Sequence, residues 1–498
     1  MPSEERLHPV SILFSFGRSL KAFALPGLVG LVIAVRQPGP NADAWMMLFL
    51  IPAAVAAVVR YLSFRLRYEG EELVIRSGLV FRNERHIPYA RIQNLDAVQN
   101  VFHRLLRVIE VRVQTGAGAE PEATISVLPA SALDEMRRRV FARDAVPQAA
   151  APRVEERVLL QMPLGELLLH GFLVNRGMVV IGAIYGILWQ LGISDRLFEP
   201  LTGDAVGDDG RIRAAVDAIV RGGSVTASEI AVGIGAVALF LVVVRIASMC
   251  WAVVRLYGFR LTEVGEDLRI EYGLFTRFTA TVPLRRIQAV TISEGPLYRL
   301  FDRVSVRVET AGGRTRQEGA GSVREWLAPL IRHERLEALM ADVMRGEQTQ
   351  FAWQPVHPRA FRRVVKRRVF FAVLLTAAVA FAIGWPGLLA GVVAIPWSVL
   401  AARRYASHLG WTAAGGVVAF KSGWLWRSTT IARASRIQAV TLRESPFDRR
   451  AAMARVRVDT AGAHERSHRI DIPYLGRDAA ADLTVRLAAQ AADTAFHW

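Results

Sequence analysis

The sequence predicts three membrane α-helical hairpins, each followed by an all-β cytoplasmic domain, a sandwich or barrel closed by a C-terminal helix. Three observations lead there. Apolar stretches fall in pairs, arginine gathers on one side of every pair, and a strand-patterned segment with constant internal spacing follows each pair.

A chain of 498 residues has room for three or four domains at about 150 residues each. Apolar residues make up 52% and charged residues 21%, with a mean hydropathy of +0.26. That is more apolar than an ordinary soluble protein and argues against long disorder. The formal charge of +17 is arginine's, since Lys21, Lys366 and Lys421 are the only lysines. Such a balance suits nucleic acid or the anionic face of a bilayer, and the apolar segments favour the bilayer. Cys250 is the sole cysteine, which excludes intramolecular disulfides and cysteine-cluster metal sites. Met1 to Leu7 carries Glu4 and Glu5 and leads to no small-residue cleavage site, so no removable signal peptide is expected.

The paired stretches are Ala22 to Val35 with Trp45 to Val59, Gly177 to Gly192 with Ile230 to Val254, and Val369 to Trp385 with Gly387 to Ala402. Each pair reads as a helical hairpin. Several runs are nearer 15 residues than the roughly 20 that span a bilayer core, so flanking arginines must snorkel or the hairpins must be shallow. Pro26, Pro52 and Pro396 lie inside these runs, where membrane helices tolerate them.

Arg18, Lys21, Arg60, Arg65 and Arg67 flank the first hairpin, Arg176, Arg255 and Arg260 the second, and Arg362, Arg363, Lys366, Arg367, Arg368, Arg403 and Arg404 the third. All mark one side. The positive-inside rule makes that side cytoplasmic and places both termini inside. The opposite side receives short or acidic connections, chiefly Ser194 to Ala227, where aspartate and glutamate outnumber arginine.

The three polar segments superpose by sequence without gaps through their centres. Their defining residues are Gly78, Arg91, Gln93 and Thr115 in the first, Gly273, Arg286, Gln288 and Thr310 in the second, and Gly423, Arg436, Gln438 and Thr460 in the third. Glycine to arginine is 13 residues and glutamine to threonine 22 in every copy. His8-Pro9, Met162-Pro163 and His357-Pro358 open the three units upstream, and the middle unit carries an insertion of about 40 residues, largely the acidic loop. Segments such as Ser11 to Phe23 and Arg359 to Arg368 mix apolar and basic residues and suit the headgroup zone.

Alternation in Glu72 to Arg76, Val304 to Val308 and Arg455 to Val458 predicts half-buried strands, with turns at the repeated glycines. Helical tails follow over Ser131 to Arg143, Val323 to Arg345 and Gly476 to Ala492. The expected organisation is an interfacial helix and hairpin over 1–60, a β domain over 61–145, a hairpin with its outside insertion over 155–256, a β domain over 257–346, a hairpin over 355–404 and a β domain over 405–492.

A membrane hairpin followed by strands reading G-L, I-P-x-x-R-I-Q-x-V and V-x-V-x-T-A-G resembles the bacterial pleckstrin-homology-like domain family, here as three tandem units in one membrane protein. The resemblance covers nearly the whole chain. It is closest in the first two copies, where Ile87-Pro88 and Val282-Pro283 precede Arg91 and Arg286. The third departs, with Ala432-Arg433 in that place and Gly415-Gly416 where the first has Glu71-Glu72. The fold implied is a PH-like β-sandwich or barrel with a C-terminal capping helix. Arg65, Arg67, Arg82, Arg85, Arg260 and Arg277 lie on or near the opening strands, where pleckstrin-homology folds elsewhere bind phosphoinositides; this is an analogy of fold.

No chemistry is legible. The histidines are scattered; His464 and His468 form the one close pair and lack a third ligand. No HExxH, Walker A or G-x-S-x-G pattern occurs, so no catalytic, cofactor or metal site is expected and the chain reads as a non-enzyme. Each repeated Arg-Ile-Gln admits two readings. Isoleucine enters the core while arginine braces a neighbouring loop, or the arginine meets a ligand, with Asp302, Asp448 or a lipid phosphate as candidate partners. Arg362, Arg363, Lys366, Arg367 and Arg368 put five cations in seven residues beside the third hairpin, which serves either topology or contact with anionic lipid. Arg245, late in the fourth apolar run, is expected to snorkel.

The functional expectation is an inner-membrane scaffold whose three cytoplasmic domains bind membrane or cytoplasmic proteins or anionic headgroups, in envelope stress or resistance to membrane-active compounds. Nucleic acid is disfavoured because the arginines hug the membrane segments. The alternative is a transport or export component with a path through six helices, against which stand the short spans and their few polar groups.

Overall fold

The computed structural model describes residues 4–5, 9–22, 42–78, 82–115, 122–141, 156–174, 176–190, 227–310, 326–347, 350–460 and 470–493. The expected first apolar stretch, the acidic outside loop and the pair His464 and His468 lie outside these residues. The chain forms two compact units: residues 1–159, 261–270 and 277–498 make one, and residues 160–260 with 271–276 make the other.

The first copy contains β1 (Glu4–Glu5), β2 (Arg65–Glu69), β3 (Glu72–Ser77), β4 (Asn83–Pro88), β5 (Ile92–Gln99), β6 (Val108–Thr115) and β7 (Ala123–Pro129). The second contains β8 (Glu156–Gln161), β9 (Arg260–Val264), β10 (Asp267–Tyr272), β11 (Arg277–Pro283), β12 (Ile287–Glu294), β13 (Arg303–Thr310) and β14 (Trp326–Arg332). The third contains β15 (Gln354–Pro355), β16 (Gly410–Ala414), β17 (Val417–Ser422), β18 (Arg427–Arg433), β19 (Ile437–Arg443), β20 (Met453–Thr460) and β21 (Ile470–Gly476). In every copy four strands lead into a 3-10 turn that is followed by three more strands.

Alternating burial explains the strands. In β20 the side chains of Val456 and Val458 are buried while Arg455 and Arg457 are partly exposed, the period-2 pattern of a sheet with one wet face. A helix closes each copy. In Ala130–Phe141 the residues Ala132, Leu133, Met136 and Val140 recur at helical spacing and join the core of the first copy with Leu66, Leu73, Leu95 and Ile125. Helix Arg477–Asp493 does the same with Ala480, Leu483 and Leu487. The middle tail starts later than its composition suggests: Trp326–Arg332 is strand β14 and the helix is His333–Val343, because the run Leu327 to Ile331 is buried throughout and completes the three-stranded sheet.

The copies are joined through their sheets. The strand orders are β1-β2-β3-β4, β7-β6-β5-β11-β10-β9-β8, β14-β13-β12-β18-β17-β16-β15 and β19-β20-β21. The three-stranded sheet of each copy therefore continues into the four-stranded sheet of the next, through β5 with β11 and β12 with β18, both antiparallel.

Among the described residues two helical stretches are long and apolar enough to cross a bilayer, Val237–Leu256 and Trp385–His408. A third is available if Leu164–Leu173 and Gly177–Ala183, bent by 86°, make one span. The expected six spans therefore exceed what these helices supply. Ala54–Ser63 is a shorter apolar stretch within helix Ala42–Ser63. Helix Ala360–Ile383 begins with the basic residues and runs without a break into its apolar half, so Arg359 to Arg368 is not a separate interfacial helix. It packs against helix Leu389–His408 across the turn Trp385–Leu388. There Gly387 lies so close to Ala380 that an added Cβ would sit 2.5 Å from its Cα, and Gly391 faces Thr376 in the same way at 2.9 Å.

In the unit of residues 160–260 and 271–276, helix Ala227–Leu256 packs on Leu164–Leu173 and Gly177–Gln190. Ser248 donates to the carbonyl of Gly171 at 2.7 Å, and Arg245 donates from Nη1 to the carbonyl of Phe172 at 2.8 Å while lying over its ring. Arg245 is held by a main-chain acceptor within its own unit.

Candidate functional site

The repeated residues meet at one place in each copy. The arginine ends the 3-10 turn, Tyr89–Arg91, Leu284–Arg286 or Ala434–Arg436, and the next residue enters the core, with Ile92, Ile287 and Ile437 at most 2% exposed. The N–H opening that turn bonds the carbonyl of the preceding tight turn in all three copies: Tyr89 to Glu71 at 2.9 Å, Leu284 to Glu266 at 3.1 Å and Ala434 to Gly416 at 2.8 Å. The repeated threonine stands opposite the isoleucine, pairing Thr115 with Ile92, Thr310 with Ile287 and Thr460 with Ile437. Register then shifts by one, and the extra residue is the repeated glutamine, Gln93, Gln288 or Gln438, so each marks a β-bulge. Gly78, Gly273 and Gly423 follow β3, β10 and β17 with φ of 93°, 115° and 92°, the left-handed region that favours glycine.

The arginines reach across the junctions. Arg286 donates from Nη1 to the carbonyl of Ile92 at 2.8 Å, and Arg436 from Nη2 to the carbonyl of Arg285 at 2.7 Å. Each thus caps the turn of the copy before it. Arg91, in the first copy, is exposed. Arg433 replaces the proline of the other copies and adds two bonds, to the carbonyls of Leu284 at 3.2 Å and Val343 at 3.1 Å. Burial pulls its guanidinium below the usual arginine range. Arg299 extends from the second copy to the carbonyl of Leu425 in the third at 3.0 Å, and the hydroxyls of Thr291 and Thr430 meet between β12 and β18 at 3.3 Å.

Asp448 was a candidate partner of the repeated arginines, yet its carboxylate meets Arg363 at 2.9 Å, beside a bond from Arg363 to Ser445 at 3.2 Å. Arg363 thereby ties helix Ala360–Ile383 to the capped turn before β20, where Ser445 and Asp448 form a capping box. Arg368 lies over the Tyr405 ring at 5.3 Å. Arg362, Lys366 and Arg367, the rest of the five cations, are exposed. On the opening strands Arg65 caps the end of helix Ala42–Ser63 through the carbonyl of Leu62 at 2.8 Å, and Arg85 bonds the carbonyl of Glu122. Among the described residues no three His, Cys, Asp or Glu side chains converge as metal ligands.

Two features escaped sequence reasoning. The pairing of one copy's β5 or β12 with the next copy's β11 or β18 leaves no mark in composition. Gly387 and Gly391 do leave one, a G-x-x-x-G spacing inside an apolar run, the pattern that lets helix backbones approach.

Comparison with known proteins agrees with this architecture. The sequence matches the bacterial PH domain family over residues 17–144, 219–345 and 369–491. It is 24% identical over 476 residues to the UPF0699 transmembrane protein YdbT of Bacillus subtilis (strain 168), covering 90% of this chain and 91% of that protein. No solved structure matches. With three tandem matches spread over most of its length, the chain belongs to the bacterial PH domain family.

Proposed function

We propose that this membrane protein is a non-enzymatic inner-membrane scaffold whose three PH-like domains face the cytoplasm, with both termini on that side, and bind proteins or anionic headgroups. Its setting is envelope stress or resistance to membrane-active compounds. The observation that carries the reading is the exposure of Arg362, Lys366 and Arg367 on the basic half of helix Ala360–Ile383, directly before its apolar half. Arg363 and Arg368 hold that helix to its neighbours, which leaves the other three guanidinium and ammonium groups available to phosphate. Sheet junctions hold the domains in fixed order, so weak individual sites act together at high effective concentration.

Three cations near an anionic leaflet contribute about 1 kcal/mol each. Loss of all three therefore weakens headgroup binding by up to roughly a hundredfold. The test uses purified full-length chain in mixed micelles of phosphatidylglycerol or phosphatidylcholine, with retained lipid measured for wild type and for the combined Arg362→Gln, Lys366→Gln and Arg367→Gln variant. Selective, salt-sensitive loss of phosphatidylglycerol from the variant is expected. Equal retention at all salt concentrations would remove the headgroup role and leave protein binding, which cross-linking in native membranes would then have to find.

A transport path, the competing reading, draws no support from helix Ala227–Leu256, where Arg245 and Ser248 bond main-chain carbonyls of the same unit.

A further inference from the structure

The two junctions use one register. In the first, Thr279 pairs with Ala97 and Arg277 with Gln99; in the second, the equivalent residues Thr429 and Arg427 pair with Ile292 and Glu294. Among the described residues, a three-copy chain built this way leaves one unpaired edge strand of each kind. Strand β4, equivalent to β11 and β18, terminates the first sheet, and β19, equivalent to β5 and β12, terminates the last.

Exposure records the difference. Asn83 to His86 on β4 are all exposed, whereas the counterparts of Asn83 and Glu84 on β11 and β18 are half-buried and those of Arg85 and His86, namely Ala280 and Thr281 on β11 and Thr430 and Ile431 on β18, are buried. On the other edge Ala289, Val290 and Thr291 of β12 are buried, while Ala439 is exposed and Val440 and Thr441 are only half-buried. Leu442 is 40% exposed. The run Ala439-Val440-Thr441-Leu442 has neither charge nor proline, the devices that ordinarily guard a free edge.

We propose that β19 of one chain pairs with β4 of a second copy, antiparallel and in the register of the two internal junctions. The chain then assembles head to tail through its sheets. That register sets Val440 opposite His86, Thr441 opposite Arg85 and Leu442 opposite Glu84. It also sets Glu444 opposite Arg82, reproducing the opposed charges of Glu294 and Arg427. The exposed Arg91 of the copy that supplies β4 then occupies the position from which Arg286 and Arg436 bond the preceding copy, with the carbonyls of Ser435 and Ile437 of the chain that supplies β19 as its counterpart acceptors. A heterologous joint of this kind grows into a ring or a line, according to whether its rotation closes.

The test is cross-linking between full-length chains in native membranes. In a Cys250→Ala background, one tagged copy carries Thr441→Cys and a second, differently tagged copy carries Arg85→Cys, so only contact between chains gives an adduct. Val440→Cys with His86→Cys is a second in-register pair. Val485→Cys, on the exposed face of helix Arg477–Asp493, paired with Arg85→Cys is the collision control. Several-fold more adduct from the in-register pairs than from the control is expected. Adduct at control level, or adduct of Thr441→Cys with another protein in place of the tagged copy, overturns the proposal. Leu442→Lys and Arg91→Ala, both at exposed positions, give an independent reading: each lowers the mass of the detergent-solubilised assembly by light scattering without changing its circular dichroism. A wild-type chain that remains a monomer at every concentration also overturns it.

Discussion

The guanidinium of Arg286 lies 2.8 Å from the main-chain oxygen of Ile92, 194 residues away in sequence. The bond is charge-assisted and partly buried, and it terminates a carbonyl at the turn of the preceding copy. Arg436 repeats it on Arg285 one copy later. The repeated arginine therefore serves the neighbouring copy rather than its own. Hydrogen bonds to charged groups contribute about 1.5 to 3 kcal/mol, with less where solvent reaches the donor. Arg286→Ala is expected to destabilise the β5 and β11 junction by about 1 to 2 kcal/mol. Hydrogen exchange at Ala97 to Gln99 and Arg277 to Thr279 checks this; unchanged protection there would show that strand pairing alone holds the copies together.

Arg433→Pro makes the third copy match the other two and is still expected to weaken it. The backbone at 433 already has a φ of −70°, so proline fits the conformation. Reduced unfolded-state freedom would contribute about 0.4 to 1 kcal/mol in its favour. The substitution also removes both bonds to Leu284 and Val343, a loss of about 1.5 to 3 kcal/mol. The larger effect is the loss, and a lower melting temperature for the full chain is the expected reading.

The spacing of the repeat was legible because local geometry sets it. Thirteen residues from glycine to arginine cover one strand and its return to the 3-10 turn, and twenty-two from glutamine to threonine cover the two strands that pair on either side of the bulge. The junctions were not legible. Their partners are main-chain groups and small or β-branched residues such as Ala97, Thr279, Thr291 and Thr430, whose identities suit a solvent edge as well as an interior one. The five-cation run could be read as a cluster, but not its division of labour, because Arg363 is distinguished from Arg362 by Ser445 and Asp448, 82 and 85 residues onward.

Gly423→Ala tests the turn that opens each β4-type hairpin. A φ of 92° costs an L-residue about 1 to 2 kcal/mol. In addition the new Cβ would sit 1.8 Å from the carbonyl oxygen of Trp426, a backbone atom that cannot yield without moving β18. The third copy is expected to become sensitive to protease near residues 424–433, while the first copy keeps its protection. Equal sensitivity in both would mean that the copies unfold together.

His86 makes the first copy's edge respond to pH. Its Nδ1 lies 2.9 Å from Glu72 across β3 and β4, and that hydrogen bond raises its pKa above the ordinary 6.5, with Glu84 and Glu69 adding attraction against some desolvation. A raised histidine pKa stabilises the fold in the protonated form. The contribution is complete below about pH 6.5 and disappears as pH rises through the folded-state value. Exchange protection of β3 and β4 amides, corrected for intrinsic rates, is expected to fall as pH rises above the ordinary histidine pKa. Glu72→Gln should flatten the profile; a slope unchanged by that substitution would assign the titration elsewhere.

Gly387 and Gly391 set the separation of helices Ala360–Ile383 and Leu389–His408. A Cβ at 387 would stand 2.5 Å from the Ala380 Cα and 2.6 Å from its nitrogen, both backbone atoms, whereas at 391 the nearest neighbour is the Thr376 methyl at 2.9 Å. The consequences differ accordingly. Gly391→Ala asks only a side chain to turn, and Thr376 is itself held by a bond to the carbonyl of Ala372 at 2.8 Å. Gly387→Val must push Ala360–Ile383 away from Leu389–His408 along its whole length, since a helix moves as a rod. Close packing rather than a hydrophobic driving force holds helices together in lipid, so little remains to oppose the separation. Arg363 rides on the same helix and would be drawn away from Asp448, so the hairpin change is expected to reach the third domain as well. Labelling of a cysteine placed at Ser445 measures that: Gly387→Val should raise its reactivity severalfold and Gly391→Ala should leave it near wild type. Equal reactivity in both variants would show that the hairpin and the domain are mechanically independent.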